Sequence, residues 1–215
     1  MDFVLNEVEV RVLGALLEKE LTTPDYYPLS LAALTAACNQ RNNRDPLVDF
    51  DETTVVRALD SLKTKRLVVQ SDLSRVPKYA ETLISRLNLL GREAALLMVL
   101  LLRGPQTVGE LRTRSERAHP FDDLTAVESA LAEMLEAGTV KRLPRQAGRK
   151  ESRYAHLLAG EPLLEDEVVA RPEAATRLVR EENDRVEALS QEVERLRAEM
   201  EQLRSEFERF KRQFE

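Results

Sequence analysis

One nine-residue pattern occurs twice in this 215-residue chain, and it constrains the fold more than any other feature. The pattern, D-x-T-x-V-x-x-A-L, begins at Asp51 and again at Asp123. Each aspartate is suited to cap the amino end of a helix, and the Val, Ala and Leu positions share one helical face. We therefore expect two copies of one structural module. The matching residues are Asp51, Thr53, Val55, Ala58 and Leu59 in one copy and Asp123, Thr125, Val127, Ala130 and Leu131 in the other.

The segments around the pattern follow the same order in both copies. In each copy, two segments with helical spacing or capping residues precede the patterned helix, and two short strands around a polar turn follow it. In the first copy these segments are 5–21, 30–38, 51–66 and LVVQSDLSRVPKYAET (67–82). In the second copy they are 91–102, the segment after Thr107, 123–137 and TVKRLPRQAGRKESRYAHLL (139–158).

Three helices followed by a β-hairpin are the elements of a winged helix, a relative of the helix-turn-helix. The sequence therefore predicts a mainly α fold with small β-hairpins, of the α+β class. We expect a first winged-helix domain over residues 1–84 and a second over 85–160. An acidic, proline-containing linker over 161–174 would then lead to a coiled-coil helix over 175–215.

The predicted coiled coil depends on apolar residues whose spacing alternates between three and four, as in a heptad seam. The acidic g positions Glu192, Glu199 and Glu206 match the basic e positions five residues further along, which favours a parallel homodimer. The seam could also fold back on its own domain, pair with another protein or form a higher oligomer. Its residues are Val186, Leu189, Val193, Leu196, Met200, Leu203, Phe207, Phe210 and Phe214.

Composition argues against several classes of protein. The sequence has no glycine-rich phosphate loop, GxSxG, HExxH or pair of CxxC motifs, and it has only two histidines and one cysteine. We therefore expect a non-enzyme without a metal site or another cofactor. The longest apolar run has nine residues, against about 20 for a membrane span, so no membrane association is expected. Because the single cysteine excludes an internal disulfide, a cytoplasmic location is predicted.

The patterned helix of the first copy could contact nucleic acid. When Val55, Ala58 and Leu59 pack inward, a face of threonine, arginine and serine is expected outside, and such side chains bind bases and phosphates. The candidate residues are Thr53, Thr54, Arg57 and Ser61. The same helix in the second copy would expose Glu128, Glu133 and Glu136, which phosphates repel. We therefore expect only the first copy to use this helix for DNA.

The second hairpin provides another candidate contact, because six cations occur there within thirteen residues beside a single Glu151. Such a density indicates a polyanionic or acidic partner, although a solvated hairpin tip is an equal alternative. Arg112, Arg114 and Arg117 could add to the same patch. The six cations are Lys141, Arg142, Arg145, Arg149, Lys150 and Arg153.

A polar connection, CNQRNNRDP (38–46), lies between the second and third helices of the first copy. Asn39 suits a left-handed helix end, and Asp45-Pro46 is typical of a turn. A turn does not require Arg41 or Arg44. These two arginines therefore either belong to an elaborate structural turn or contact a phosphate or a protein partner.

Four long strings of this sequence resemble the bacterial YceH-like family of tandem winged-helix proteins. The resemblance covers about residues 5–160 and implies the winged-helix fold and a tail helix. It supplies no catalytic residues. The strings are LLEKELTTPDYYPLSL (16–31), ACNQRNNRDP (37–46), LLLRGPQTVGELRTRS (100–115) and RKESRYAHL (149–157).

Two functions remain after these exclusions. The first is a dimeric DNA-binding or transcription-associated protein that contacts double-stranded DNA through the patterned helix and the second hairpin. The second is a protein-protein scaffold, of the kind found among accessory subunits in chromosome organisation, that does not bind DNA directly. The acidic helix of the second copy favours the scaffold, and the cationic hairpin favours DNA.

Overall fold

The computed structural model describes residues 3–145 and 151–162, together with Glu192, Arg195, Glu199 and Met200. The chain separates into two compact units, Met1–Pro172 and Glu173–Glu215. About half of the described residues are helical, and the described ranges contain seven α-helices and two small antiparallel sheets. The prediction of a mainly helical fold with small β-hairpins is therefore confirmed at this level.

The first half of the larger unit begins with three helices whose amino ends are capped by side chains. The oxygen atoms of Asn6, Ser30 and Asp51 accept hydrogen bonds from backbone amides in the first turn of each helix. Such caps satisfy amides that have no partner within the helix, which fixes where the helix begins. The helices are α1 (Glu7–Thr22), α2 (Leu31–Cys38) and α3 (Glu52–Thr64), with a short 3-10 helix at Pro24–Tyr26 after α1.

A three-stranded antiparallel sheet completes the first half, with the order β1-β3-β2. Its strands are β1 (Leu29–Ser30), β2 (Val68–Ser71) and β3 (Lys78–Glu81), and α4 (Leu83–Leu87) follows them. The two hairpin strands were predicted from the sequence. The strand β1 and the helix α4 were not, because elements of two and five residues are too short to show a period.

The second half repeats this order. Its elements are α5 (Gly91–Arg103), α6 (Val108–Ser115), α7 (Leu124–Glu136), β4 (Val140–Arg142) and β5 (Tyr154–His156). Thr107 and Asp123 cap α6 and α7, as expected. An isolated bridge joins Gln106 to Tyr154, in the position that β1 takes beside β3 in the first half.

The structural repeat extends to single hydrogen bonds at the carboxyl ends of α3 and α7. The amide of Leu67 donates to the carbonyl of Leu62 at 2.9 Å, and that of Thr139 donates to Met134 at 3.0 Å. The residue just before each donor has a positive φ, which is 56° at Arg66 and 67° at Gly138. Both helices therefore end in the same left-handed turn.

The two halves share one hydrophobic core, because α1 of the first half contacts both α3 and α5. Gly14 allows the closest approach of α1 to α5. A Cβ atom placed on Gly14 would lie 3.0 Å from Leu101 Cβ and 3.0 Å from Leu102 Cδ2. The amide of Leu5 also donates to the carbonyl of Leu158 at 2.8 Å, which joins the start of the first half to the end of the second.

Among the described residues, no helix has the combination of length and apolar character that a membrane span requires. The predicted domain boundaries at residues 84, 160 and 174 stay predictions.

Candidate nucleic-acid interface and junction cleft

The exposed face of α3 contains fewer candidate contacts than the sequence predicted. Thr53 is exposed and Arg57 is half-buried and has an interaction partner. Thr54 is only 5% exposed, so the prediction of an exposed Thr54 is wrong. Thr54 lies in the first turn of α3, where its amide donates to Asp51 Oδ1 at 2.7 Å and its side chain also hydrogen-bonds Asp51.

Ser61 is half-buried and faces the first helix of the fold. It hydrogen-bonds the buried carboxylate of Glu9, which also accepts from Lys65 Nζ at 2.6 Å. Burial raises the pKa of Glu9, but the bonds from Lys65 and Ser61 outweigh it and leave the pKa below its ordinary value. Ser61 and Lys65 therefore help to attach α3 to α1.

The exposed face of α7 is acidic, as predicted. Glu128, Glu133 and Glu136 are all exposed, and no basic residue occurs in α7. Glu133 accepts from Arg92 Nη2 at 2.7 Å, so an arginine of α5 partly neutralises this face. Leu124 and Leu135 of the same helix are 48% and 38% exposed.

The second hairpin presents cations at the end of β4. Arg142 and Arg145 are exposed and form no ion pair with the described part of the chain, whereas Lys141 pairs with Glu161. Arg153 is half-buried. Burial raises the pKa of Glu110, but the hydrogen bond from the Thr107 amide and the charges of Arg114 and Arg153 leave that pKa below its ordinary value. Arg149 and Lys150 lie outside the described residues.

The connection 38–46 is a structural turn that buries one of its two arginines. Arg44 is 5% exposed, and its guanidinium donates to both oxygens of Glu18, at 2.6 Å and 3.1 Å. The same group donates to the carbonyl of Ala37 at 2.8 Å, near the end of α2 where helix carbonyls lack partners. The prediction that Arg44 contacts a phosphate or a partner is therefore wrong. Arg41 is exposed, as that prediction requires.

A second buried arginine supports the same connection. Arg11 of α1 donates to the carbonyls of Cys38 at 3.3 Å and Pro46 at 2.6 Å. Burial and the nearby charge of Arg44 lower the pKa of Arg11 to about 10. Cys38 itself is fully buried, and burial raises the pKa of its thiol to about 12. This cysteine is therefore a packed side chain rather than a reactive thiolate.

Two asparagines shape this connection differently from the sequence prediction. Asn39 has a φ of −89°, so it is not the left-handed residue that was expected. Its side-chain amide instead makes two hydrogen bonds with the backbone of Phe50, at 2.7 Å and 2.9 Å. The left-handed position is Asn43, with a φ of 60°, and its Oδ1 accepts from Arg103 Nη1 at 3.0 Å.

A polar cleft of about 420 Å³ lies where this connection meets α1, α5 and α6. We call it the junction cleft. Sequence reasoning missed it because its cations come from four separate segments, and no linear pattern joins them. Arg114 of α6 and Arg117, which follows that helix, line this cleft, and Arg112 donates to the carbonyls of Phe121 and Asp122. The cations that line the cleft are Lys19, Arg41, Arg103, Arg114 and Arg117.

A sequence model of one protein family, described as "Protein of unknown function, DUF480", matches residues 5–149. The chain belongs to the DUF480 family. The matched region contains α1 to β4, and thus the repeated order of three helices and a first hairpin strand. It also includes all five cations of the junction cleft.

Relatives of this DUF480 protein are similar over most of their length. The UPF0502 protein of Geotalea daltonii is 60% identical over 195 residues, which cover 89% of each chain. That of Geobacter sulfurreducens is 58% identical over 196 residues, covering 89% of this chain and 90% of the relative. That of Solibacter usitatus is 54% identical over 195 residues, covering 89% and 92%. These names test neither the YceH-like resemblance nor the winged-helix assignment.

Within the described ranges, no group of three or more His, Cys, Asp or Glu side chains is arranged to hold a metal ion. The prediction that the protein is not an enzyme stays a prediction.

Proposed function

We propose that this DUF480 protein is a dimeric DNA-binding protein. Its fold would be a pair of tandem winged helices, which is the fold that the YceH-like resemblance implies. The observation that carries the proposal is the pair of exposed arginines, Arg142 and Arg145, at the end of β4. A hairpin next to a third helix is the wing of a winged helix, and wings contact the DNA backbone. Within the described residues neither arginine forms an ion pair, and exposed guanidinium groups are suited to contact phosphates.

The third helices of the two modules contribute unequally to the proposed interface. The segment 51–66 around α3 has four basic and three acidic side chains, whereas 123–138 around α7 has four acidic and no basic ones. A helix in the major groove lies between two phosphate strands, which disfavour an acidic surface. We therefore assign DNA contact to α3, through Thr53 and Arg57, and not to α7.

The proposal of a homodimer depends on the heptad pattern, and most residues of that pattern lie outside the described residues. Of the seam residues only Met200 is described, and it is 55% exposed in the single chain. Arg195 is within 2.5 Å of Glu192 and 3.3 Å of Glu199, both at g positions. An apolar residue exposed at a seam position supports pairing with a second helix, because association would bury it.

Removal of residues 175–215 tests the dimer. We expect the truncated protein to be monomeric and still folded, since the core of the larger unit uses residues from Phe3 to Leu158. Light scattering gives the mass, and circular dichroism checks the fold. A truncated protein that remains dimeric would contradict the coiled-coil assignment.

Fluorescence anisotropy with a labelled random duplex tests DNA binding. We expect micromolar binding at low salt that weakens steeply as salt increases, because phosphate contacts release counterions. The variant Arg142→Gln/Arg145→Gln should bind the duplex more weakly. Each lost phosphate contact reduces the slope of log K against log salt by about 0.9, so the loss of two contacts should reduce it by about 2. Arg41→Gln/Arg117→Gln, which removes the same charge at the junction cleft, is the matched control. Absence of binding at low salt would overturn the proposal.

A protein scaffold is the second candidate function, and the surface of α7 favours it. This helix exposes Leu124 and Leu135 beside its three glutamates, a combination suited to a basic, partly apolar protein surface. A pull-down from bacterial lysate treated with nuclease separates the two candidates. The scaffold would be supported by a protein partner that the wild type still captures after nuclease treatment and that the variant Leu124→Ser/Leu135→Ser does not capture.

A further inference from the structure

The junction cleft concentrates positive charge that the described carboxylates neutralise only in part. Among the described residues that line it, five are cations and only Glu18 is acidic. The carboxylate of Glu18 is already bound by the buried Arg44, at 2.6 Å and 3.1 Å, and by Lys19 at 3.2 Å. Arg114 lies 3.4 Å from Glu110, outside the lining. Arg41 and Arg117 are exposed and form no ion pair with any described residue.

Arg103 has a guanidinium group whose hydrogen-bonding capacity is only partly used within the described residues. Its Nη1 donates to Asn43 Oδ1, but its Nε is buried and has no hydrogen-bond partner among the described residues. A buried donor without an acceptor costs free energy, which an incoming oxygen atom would recover. Burial, and the like charges of Arg114 and Arg44, lower the pKa of Arg103. The cations therefore repel one another in the absence of an anion.

The rest of the lining suits a ligand that is only partly charged. Met98, Val99 and Leu102 of α5 form an apolar part of the wall, and Gln40 and Asn42 contribute side-chain amides. The volume of about 420 Å³ lies within the range of about 300–1,000 Å³ that small-molecule sites occupy. A DNA duplex is too large to enter a cleft of this volume, so the cleft suits a small ligand.

We propose that the junction cleft binds a small molecule with adjacent phosphate groups, of about the size of a nucleotide. The arginines would hold the phosphate oxygens, since guanidinium groups bind phosphate through paired hydrogen bonds. The amides and the apolar wall would contact the uncharged part. The proposal is independent of the DNA-binding function, because the cleft residues are separate from Arg142 and Arg145 of the second hairpin.

Isothermal titration calorimetry of the full-length protein at low salt tests this site, with inorganic pyrophosphate and ATP as probes. We expect saturable binding of both. If ATP binds more tightly than pyrophosphate, the amides and the apolar wall contact the nucleoside. If the two affinities are equal, the cleft recognises only the phosphate groups. The variant Arg41→Gln/Arg117→Gln should weaken binding about tenfold or more, since it removes two charged hydrogen bonds. Both arginines are exposed, so the variant should keep the wild-type melting temperature.

The matched control is Arg142→Gln/Arg145→Gln, which removes the same charge from the second hairpin. We expect it to bind both probes as the wild type does and to bind the duplex more weakly. No heat of binding at millimolar pyrophosphate or ATP would overturn the proposal. Equal weakening in the two variants would also overturn it, because that result would indicate attraction by net charge alone. A cleft variant that loses duplex binding as well would place the cleft within the DNA interface and reject the small ligand.

Discussion

The helices α3 and α7 have the same geometry but differently charged surfaces. Each has 13 residues, begins after an aspartate cap and ends in a left-handed turn. Yet the segment around α3 has an excess of basic residues, and that around α7 has only acidic ones. Caps and buried positions therefore determine the backbone, while the exposed positions are free to differ. Similarity of fold between the two halves therefore does not imply similarity of binding.

The connections that precede these helices differ in a second way. In the first half, Arg44 is buried and binds Glu18 as well as the backbone of the connection. In the second half, the exposed Arg112 binds only the carbonyls of Phe121 and Asp122. The first connection is therefore fixed by a buried ion pair and the second by exposed hydrogen bonds. Four predictions test how far the two halves differ.

The largest effect should come from Arg44→Ala. This substitution removes the buried partner of the Glu18 carboxylate, whose side chain is only 10% exposed. Loss of one partner of a buried ion pair lowers the free energy of unfolding by about 3–5 kcal/mol. Arg112→Ala should lower the free energy of unfolding by only about 1 kcal/mol, and the exposed neighbour Arg41→Ala should leave it unchanged. Urea unfolding curves give all three values. Equal losses for Arg44→Ala and Arg112→Ala would contradict this account.

Two titratable groups at equivalent positions should give the halves opposite pH responses. Val68 pairs with Glu81 in the first sheet, and Val140 pairs with His156 in the second. Burial raises the pKa of Glu81 to about 8, and a hydrogen bond with Glu20 acts in the same direction. Burial lowers the pKa of His156 to about 4. The folded protein therefore favours the neutral form of both groups.

The signs of the two contributions follow from linkage. The contribution of Glu81 is complete below its unfolded pKa of 4.5 and is lost as the pH rises to about 8. That of His156 is complete above 6.5 and is lost as the pH falls to about 4. In the wild type, the free energy of unfolding should fall by a few kcal/mol between about pH 5 and 8, at about 1.4 kcal/mol per pKa unit. Glu81→Gln should abolish this fall, because glutamine does not titrate. Urea unfolding across this range measures it, and an unchanged pH dependence in Glu81→Gln would contradict it.

Two glycine substitutions should have opposite signs. Gly14→Ala places a Cβ 3.0 Å from side-chain atoms of Leu101 and Leu102, and overpacking of this kind costs about 1–3 kcal/mol. We expect a net loss of about 1–2 kcal/mol, because alanine recovers part through its helix propensity. A Cβ atom placed on Gly109 in α6 would have no neighbouring atom within 4 Å, so Gly109→Ala should raise the free energy of unfolding by up to about 1 kcal/mol. Thermal unfolding measures both, and stabilisation by Gly14→Ala would contradict the close α1–α5 contact.

The smallest effect concerns the left-handed turn after each patterned helix. Arg66 has a φ of 56° where the second half has Gly138 at 67°. A side chain disfavours this left-handed conformation. Arg66→Gly should therefore raise the free energy of unfolding by about 0.5–1 kcal/mol, and Gly138→Ala should lower it by about 1 kcal/mol. Arg66→Ala, which keeps the Cβ, is the control and should not stabilise. Chemical denaturation with closely spaced urea concentrations resolves differences of this size.

The elements could be predicted from the sequence because local signals specify them. Asp51 and Asp123 begin α3 and α7, and Ser30 and Thr107 begin α2 and α6, as the capping rule requires. The apolar spacing placed Val55, Leu59, Val127 and Leu131 in the core, where the structure has them. Local capping and period-based rules depend on neighbours within one or two turns, so a single sequence contains all that they need.

The candidate sites could not be predicted as well, because they depend on contacts between distant segments. Arg44 and Arg41 are three residues apart and equally charged, yet only Arg44 reaches Glu18, which is 26 positions away. The junction cleft joins Lys19 to Arg117, and a linear reading gave no reason to connect them. Thr54 was misplaced for a smaller reason, since its side chain hydrogen-bonds the capping Asp51 and is buried, although the polar pattern suggests solvent.

The shared helix α1 also couples the two modules energetically. Because Gly14 allows α1 to pack directly against α5, neither module has a complete core of its own. Deletion of one copy would therefore expose the apolar face of the other. The two modules consequently should unfold in one transition and pass any loss of stability to each other, even where their surfaces have separate roles.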